Sequence, residues 1–139
     1  MKVELAVDAT GVPVGVATDA ANVPETELGG VALASIPRAV EVPDGTPVVA
    51  DRGYDSDPLR KNLATAGFTL VAPHRRNRTR PRTADGRRLR RSKRRWIVER
   101  SIAWLHSYRR AVTRFERKVH LYDGFVFLAL AFIGLNRLL

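Results

Sequence analysis

The chain has 139 residues, of which 45% are hydrophobic, and it contains no cysteine. This length suits one domain with its own core, and the composition argues against wholesale disorder and excludes a disulfide framework or a cysteine-based zinc site. The net charge of +10 is unevenly distributed: residues 1–57 hold ten acids against three cations, a net of −7, whereas residues 75–118 hold eighteen Lys and Arg against three acids, a net of +15. A block this basic is typical of a polyanion-binding surface, with nucleic acid as the leading partner, although a basic surface that binds nothing in particular has the same composition.

Metal-binding histidines, secretion and membrane insertion find no support in the sequence. The three histidines, at positions 74, 106 and 120, lack the spacing of metal ligands. The first fifteen residues contain charged side chains and no apolar run with a cleavage site, so no signal peptide is predicted. The apolar run Phe125–Leu135 has eleven residues, which is too short to span a bilayer, and it predicts a buried core helix.

The first third of the chain predicts a β-hairpin followed by a helix. Lys2–Val7 and Val12–Thr18 have the composition of strands, and Asp8–Gly11 between them has the composition of a turn. A helix should begin at Pro24, which is followed by acids that favour a helix N-terminus, and should end near Ile36.

The next elements predict a strand, a helix and a second strand. Thr46–Ala50 reads as a buried strand, Asp55–Ala66 as an N-capped helix and Phe68–Ala72 as a strand. This order indicates α/β architecture with at least one parallel pair of strands. Residues 73–91 are rich in Arg and have no periodic apolar face, so they predict a flexible basic loop that becomes ordered on a polyanion.

Residues 91–110 predict a basic amphipathic helix, and a last helix should run from about Tyr122 to Leu138. On a wheel of 100° per residue, the polar arc carries Ser92, Arg95, Glu99, His106 and Arg110. The opposite side carries Ile97, Val98, Ile102, Trp104, Leu105 and Tyr108. One face can therefore pack into a core while the other holds a single carboxylate, Glu99, among cations. A solvated salt bridge is the alternative to a functional role for that acid.

Asp51 is the second acid in a position suited to chemistry. It comes at the carboxyl end of a predicted strand and is followed by Arg52 and Gly53, and α/β folds place functional groups at such ends. A helix-capping or turn role is the structural alternative. Phosphoryl transfer by two metal ions needs Asp and Glu carboxylates that converge from different elements, and Asp51 and Glu99 are of the right type.

Several motifs resemble bacterial insertion-sequence transposases, which carry a DDE catalytic triad on a ribonuclease H-like fold. The family places its second Asp in a D-(K/R)-G-Y context, matched by residues 51–54, and its Glu in Y-x2-R-x3-E-x6-K, matched by Arg95 and Glu99. Ser92 stands at the Tyr position of that motif and His106 at the Lys position. The segments RRWIVERSIAWLHSYRR (94–110) and TRFER (113–117), the apolar last helix and the hairpin LAVDATGVPVGV (5–16) extend the resemblance over nearly the whole chain.

The resemblance implies a transesterase that acts on DNA with Mg²⁺ or Mn²⁺, using two ions in the intact enzyme. Asp51 and Glu99 would be catalytic and would each bind a metal ion, while Arg95 and His106 would contact a DNA phosphate or orient the Glu. Further DNA-binding residues would be Arg75, Arg76, Arg78, Arg80, Arg87, Arg88, Arg90, Arg91, Lys93, Arg94 and Arg110. The implied partners are insertion-sequence ends and target DNA, in a dimer when intact, in the bacterial cytoplasm at the nucleoid and not at a membrane.

The first Asp of the triad has no match in the chain. Asp8 is the one early candidate, but it falls in a predicted turn and not inside a strand. The resemblance therefore implies an incomplete ribonuclease H-like fold that lacks its first, central strand and ends in a C-terminal helical segment. It would be a single partial domain, with residues 1–72 as the strand and helix half, 73–91 as the basic loop and 92–139 as the helical part with the Glu.

We therefore expect the C-terminal part of a transposase, either the downstream frame of a two-frame gene or a decayed remnant. Alone it should be weak or inactive and marginally folded, and it should need the upstream transposase segment. An alternative from another class is a non-enzymatic DNA-binding remnant that competes with the intact transposase. A ribosomal-type basic protein fits the charge of residues 75–118 but not the acidic first half.

Overall fold

The computed structural model describes residues 1–83 and 86–139 and shows a mixed α/β chain. The elements in chain order are β1 (Lys2–Val7), β2 (Pro13–Asp19), α1 (Glu25–Ala34), β3 (Thr46–Val49), a 3-10 helix (Arg52–Tyr54), α2 (Asp57–Thr65), β4 (Phe68–Val71), α3 (Gly86–Leu89), a second 3-10 helix (Arg90–Arg95), α4 (Trp96–His106), α5 (Arg109–Val112) and α6 (Val119–Leu138).

The predicted hairpin is present, with β1 and β2 paired antiparallel from Lys2 opposite Asp19 onward. Asp8 organises the turn, because its Oδ1 accepts the backbone N–H groups of Thr10 at 2.8 Å and Val12 at 3.0 Å. Such bonds between an Asp side chain and the following backbone are typical of turns. Asp8 is therefore a turn residue, as the sequence predicts.

Each face of the hairpin carries part of the hydrophobic core. On one face, Leu5 packs with buried side chains from α4, α5 and α6, and on the other face Ala17 packs with Leu28 and Ala32 of α1. Helix α1 lies so close to β2 that a Cβ at Gly15 would sit 2.2 Å from the carbonyl oxygen of Ala32. A side chain at position 15 would therefore push α1 away from the hairpin.

Strands β3 and β4 form the predicted parallel pair, from Thr46 opposite Phe68 to Val49 opposite Val71. Helix α2 connects them and begins later than predicted, because the Ser56 hydroxyl, which accepts the N–H of Leu59 at 3.3 Å, caps it. Helix α2 packs against β4. The α/β architecture predicted for residues 46–72 is thus confirmed.

The two pairs of strands remain separate sheets. In the part of the chain that the structure describes, β1 pairs with β2 alone and β3 pairs with β4 alone, so each of these four strands, β1 and β3 included, has one edge without a partner strand. Side chains link the two sheets, since the hydroxyl of Tyr54 donates to Glu4 Oε1 at 2.5 Å. The prediction that β3 is buried is wrong: its residues are half-buried and Pro47 is exposed, because β3 has a strand on one side only.

The predicted continuous helix over residues 91–110 is interrupted at both ends. Residues 90–95 form a 3-10 helix, in which the Ser92 hydroxyl donates to the carbonyl of Leu89 at 2.5 Å. This segment, RRSKRR, has no apolar side chain to pack and brings like charges together, which disfavours a regular α-helix. A second break follows α4, because Tyr108 adopts an extended conformation with φ −94° and ψ 102°.

Helix α6 begins three residues earlier than predicted, and only one of its faces is buried. Tyr122, Val126, Ala129 and Ile133 pack into the core. The prediction of a buried core helix is wrong for the opposite face, where several large apolar side chains are about half exposed. Among the described residues, α6 is also long and apolar enough to cross a membrane by length and composition, a property that core helices of soluble proteins share.

An ion-pair network around Asp55 anchors the segment after β4. The Asp55 side chain is only 2% exposed; its Oδ1 accepts from Arg60 at 2.6 Å and Arg78 at 3.1 Å, and lies 2.9 Å from His74 Nδ1. Its Oδ2 accepts the backbone N–H of Arg75 at 2.7 Å. Burial alone would raise the pKa of Asp55, but these partners outweigh burial and hold the pKa of this carboxyl well below its usual range.

The predicted flexible loop over residues 73–91 therefore contains anchored and helical parts. Residues 74–78 are tied to Asp55, and residues 86–91 belong to α3 and the second 3-10 helix. Ala84 and Asp85 lie outside the described residues. The acids at the start of α2 act as internal counter-charges, which sequence periodicity does not reveal.

The Asp55 network leads to a prediction about acid stability. We expect Asp55→Asn to lower the free energy of unfolding at pH 7 by about 2–3 kcal/mol, because it takes the buried anion away from Arg60 and Arg78 and leaves them only the more exposed Asp57. Since the folded-state pKa of Asp55 is depressed, its contribution is complete above the unfolded pKa of about 4 and is lost as pH falls further. Urea unfolding followed by tryptophan fluorescence should therefore show the difference between wild type and variant shrinking below about pH 4.

Asp57→Asn is the matched control for this experiment. Asp57 belongs to the same network, through Arg78 at 3.0 Å, but its side chain is 25% exposed. We expect a smaller loss of stability because water can solvate the groups that remain. Equal losses for both variants, or a difference for Asp55→Asn that does not depend on pH, would contradict the central role of Asp55.

Candidate functional site

Asp51 caps the 3-10 helix that follows β3. Its Oδ1 accepts the backbone N–H of Gly53 at 2.6 Å, and a Cβ at position 53 would lie 2.8 Å from that same oxygen. The Asp-Arg-Gly sequence thus has a local structural reason, since Gly53 lets the carboxylate close this turn. Among the described residues no hydrogen bond reaches Oδ2 of Asp51, so one carboxylate oxygen is available to a ligand.

Two acids that the sequence analysis did not select lie near Asp51. Glu4 of β1 accepts the hydroxyl of Tyr54, and Glu25 Oε2 lies 3.6 Å from the point that a Cβ of Gly53 would occupy. Burial raises the pKa of Glu4, the hydrogen bond from Tyr54 lowers it, and the charges of Glu25 and Asp51 raise it further, so that the net pKa is raised. The spacing of these acids along the chain does not predict that they lie close together in the fold.

Glu99 lies on an exposed face of α4. Its side chain is 59% exposed and accepts from Arg95, one turn earlier, at 3.0 Å. The 3-10 helix that ends with Arg95 packs against β3, the strand that delivers Asp51. The described contacts of Glu99 therefore match the alternative of a solvated salt bridge, on a helix that begins beside the strand with the second acid.

The side chains present do not form a complete metal site. Within residues 1–83 and 86–139, no group of three or more His, Asp or Glu side chains is arranged to hold a metal ion. Asp51 and Glu99 offer the hard oxygen donors that Mg²⁺ prefers. Each is engaged with a protein group, Asp51 through Gly53 and Glu99 through Arg95. The described residues alone thus do not fit a two-metal centre.

Several of the cations predicted to bind DNA are paired with groups of the protein itself. Arg75 donates to the carbonyl of Gly53 at 2.7 Å, and Arg78 pairs with two acids of the Asp55 network. Arg110 pairs with Glu116 at 2.7 Å and stacks on Phe125 at 4.8 Å. Of these three arginines, Arg78 has the least exposed side chain, at 10%, so it is less available to phosphates than the sequence suggested.

Most of the remaining predicted DNA contacts are exposed. Helix α3 and the following 3-10 helix pack together, and we call residues 86–95 the basic helical segment. Within the segment Arg95 is partly exposed, and outside it Arg80 is 70% exposed although it lies 3.7 Å from Asp57. The exposed members of the predicted set include Arg75 and Arg110, in spite of their contacts, together with Arg76, Arg80, Arg87, Arg88, Arg90, Arg91, Lys93, Arg94 and His106.

A cation–π stack and a buried serine fix α4 to the rest of the chain. The guanidinium of Arg100 lies 4.8 Å from the rings of both Trp96 and Trp104, and Arg137 of α6 lies 4.8 Å from Trp104. The fully buried Ser101 donates to the carbonyl of Gly11 in the hairpin turn at 2.7 Å. These contacts fix the orientation of α4 and therefore the direction in which Glu99 points. The predicted packing role holds for half-buried Trp104, while Trp96 is 53% exposed.

Comparison with known proteins gives the family. The family described as "Transposase DDE domain" matches residues 1–133. A putative transposase for insertion sequence element IS402 of Burkholderia cepacia is 34% identical over 142 residues, which cover 99% of this chain and 64% of that relative. The chain thus spans less than two thirds of the length of the relative it matches. No solved structure matches the chain.

The family match agrees with the resemblance seen in the motifs around Asp51 and Glu99. Transposases of the DDE class generally use divalent metal ions and have DNA as their partner. The roles of individual residues are not tested by the match and stay predictions. The match to residues 1–133, the identity to the insertion-sequence relative and the motifs together show that this chain belongs to the DDE transposase domain family.

Proposed function

We propose that this chain is the C-terminal part of a DNA transposase that cleaves DNA at insertion-sequence ends and transfers the strands to target DNA once the rest of the catalytic domain is supplied. The observation that carries this proposal is the division of the strands into two separate pairs in a chain of the DDE family. The proposed fold is ribonuclease H-like, with a central strand absent between β1 and β3.

The unpaired edges of β1 and β3 support the idea of a missing strand. Backbone N–H and C=O groups at an open edge lack ladder partners, and folded proteins normally pair or cover such groups. A strand from the upstream transposase segment would pair with β1 on one side and with β3 on the other. Asp51 lies directly after β3, so an acid carried by that strand would join the available oxygen of Asp51 at this end of the sheet.

Asp51 and Glu99 are the proposed catalytic carboxylates, and they would bind Mg²⁺ or Mn²⁺ together with the acid of the missing strand. When bound, the ions supply the positive charge that phosphodiester cleavage and strand transfer require. Arg95 is proposed to position Glu99 through the ion pair between them, and to contact a DNA phosphate together with His106. The exposure of Glu99 supports this role, since an exposed ion pair is worth little and is easily exchanged.

The exposed cations of the basic helical segment, with Arg76 and Arg80, are proposed to contact the DNA backbone. Contacts of Arg and Lys with phosphates give affinity that is largely independent of base sequence and falls as salt concentration rises. The structure limits this surface, because Arg75, Arg78 and Arg110 are bound to protein groups. A dimer is the proposed form of the intact enzyme.

A second candidate function is DNA binding without catalysis, by a remnant that competes with the intact transposase. The incomplete set of metal-binding side chains among the described residues favours it, because the exposed cations can bind DNA without any metal. The two candidates differ in whether activity appears when the upstream segment is added.

Complementation tests the catalytic proposal. With Mg²⁺ or Mn²⁺ and terminal-repeat DNA, we expect residues 1–139 alone to show little cleavage, and activity to appear when the upstream part of the transposase is added or fused. Asp51→Asn and Glu99→Gln should each reduce the complemented activity at least about 100-fold, because metal-ion catalysis contributes several kcal/mol. Gel assays of cleavage and strand transfer measure this.

Glu27→Gln, at an exposed acid in the first turn of α1, is the control for these charge changes and should leave activity unchanged. Robust cleavage by residues 1–139 alone would show that no strand is missing. Full complemented activity of Asp51→Asn or Glu99→Gln would overturn the assigned site. DNA binding with no activity under complementation would favour the competing remnant.

DNA affinity tests the basic helical segment. We expect the double variant Arg91→Gln/Arg94→Gln to weaken binding to duplexes of any sequence, and to reduce the slope of log K against log salt by about 1 for each phosphate that the variant no longer neutralises. Fluorescence anisotropy over a range of salt concentrations measures both effects. The control Arg38→Gln/Lys61→Gln removes two exposed cations elsewhere, and an equal decrease in affinity there would point to net charge and not to this segment.

A further inference from the structure

Helix α6 carries two apolar stripes on opposite sides. One stripe, Tyr122, Val126, Ala129 and Ile133, is buried in the core. The other stripe faces outward, and we call it the outer stripe; its members are Leu121, Gly124, Leu128, Ala131, Leu135 and Leu138. Its leucines are 49% to 78% exposed, and Phe127 and Phe132 beside it are 54% and 49% exposed.

The spacing of the outer stripe is that of a helix-pairing seam. Its residues follow one another at intervals of 3, 4, 3, 4 and 3, the alternation with which apolar positions repeat in paired helices. A helix that is apolar on all sides is normally covered on all sides, and large exposed apolar patches mark interaction sites. The outer stripe therefore has the pattern of an interface with another helix.

We propose that the outer stripe pairs with the outer stripe of a second copy of this chain, with the two helices antiparallel. In this register Leu121 faces Leu138 of the partner, Gly124 faces Leu135, and Leu128 faces Ala131. A leucine of the partner thus packs against each small residue, Gly124 and Ala131, as interdigitated packing requires. A parallel pair would place Gly124 opposite Gly124 and Ala131 opposite Ala131, and would leave gaps at both levels.

Gly124 fits this assignment, although Gly134 of the same helix, which lies off the outer stripe, also has no neighbour within 4 Å of an added Cβ. A Cβ added at Gly124 would meet no atom within 4 Å, so no contact among the described residues requires glycine there. Glycine in the interior of a helix costs roughly 0.5–1 kcal/mol relative to alanine. In the proposed pair, a leucine of the second copy packs against Gly124, and this contact would explain a glycine that no contact within the isolated chain explains.

The area of the patch agrees with a stable pair. With about 200 Å² for a large apolar side chain, the four leucines and two phenylalanines expose roughly 600 Å² per copy. Two copies would bury at most roughly 1,200 Å² from these side chains, the lower end of specific protein–protein interfaces, and this limit is reached only if the phenylalanines beside the stripe are covered as well. The outer stripe runs from Leu121 to Leu138, so the seam is about 26 Å long.

Charge does not oppose the contact locally, although the chain carries +10. The outer stripe contains no ionisable side chain. The two strong charges of α6 are engaged elsewhere: Asp123 accepts the hydroxyl of Thr18 at 2.6 Å, and Arg137 donates to the carbonyl of Thr10 and stacks on Trp104. Together with the proposed function, the pairing would hold two basic helical segments in one assembly, one for each end of an insertion sequence.

Sedimentation of residues 1–139 at about 10–100 μM, without DNA or metal, tests the pair independently of catalysis. We expect a dimer for the wild type and a monomer for Leu128→Glu and Leu135→Glu. Val31→Glu introduces the same charge at an apolar residue of α1 that is 56% exposed, and it should remain a dimer. Thermal melts followed by circular dichroism check that the variants fold.

A monomeric wild type at 100 μM, or a dimer that survives both α6 substitutions, would overturn the proposal. A monomer that floats with phosphatidylcholine–phosphatidylglycerol vesicles would overturn it as well, and would assign the outer stripe to a lipid surface. None of these outcomes depends on whether the chain cleaves DNA, so failure of the proposed function would remain distinguishable.

Cysteine cross-linking tests the antiparallel register, because the chain has no cysteine of its own. Leu121→Cys and Leu138→Cys are made in separate chains, and disulfide formation is measured for each alone and for the mixture. We expect cross-linking in the mixture only, since equal positions in the antiparallel pair lie about 25 Å apart and a disulfide needs Cα atoms within about 7 Å. Cross-linking of each variant alone, or none in the mixture, would overturn this register.

Discussion

The packing of helices on both faces of the β1–β2 hairpin is the constraint on which the rest of the structure depends. One face carries the cluster built from Leu5 and the helices α4 to α6, and the other carries α1. Gly15 permits the close approach of α1, and Ser101 ties α4 to the hairpin turn through Gly11. The elements that present Glu99 and the outer stripe of α6 are therefore positioned by a hairpin that folds from local sequence.

Charge has two separate uses in this chain. The acidic first half supplies counter-ions: Asp55 and Asp57 bind arginines that follow β4, and the pairing of buried Asp55 with them lowers its pKa. These arginines count toward the basic block in the sequence but are not available to DNA in the same way. The basic helical segment carries six exposed cations, and further exposed cations lie on both sides of it, Arg76, Arg80, Arg109, Arg114 and Arg117 among them. The charge available to a polyanion is therefore smaller than the composition suggests.

The sequence predicted those elements whose signals are local. Alternation and turn residues identify the hairpin, and the strand–helix–strand order identifies the parallel pair of β3 and β4, because these patterns depend on neighbours along the chain. The Asp55 network and the approach of Glu4 and Glu25 to Asp51 depend on contacts between distant segments, which give no periodic signal in the sequence. The break of the helix at Arg95 follows from the like charges of RRSKRR, which a helical wheel does not take into account. For the site, motifs selected Asp51 and Glu99, but their turn and salt-bridge geometry could not be predicted from motifs.

The open edges of β1 and β3 and the outer stripe of α6 require different partners. A strand edge offers hydrogen-bonding groups, which only another backbone at strand spacing can pair, whereas the outer stripe offers apolar side chains at the intervals of a helix seam. The incomplete sheet fits a further strand of the same catalytic domain, and the outer stripe fits the second copy proposed for it. The pair of Arg95 and Glu99 is exposed, so breaking it would cost little free energy, whatever partner Glu99 then takes.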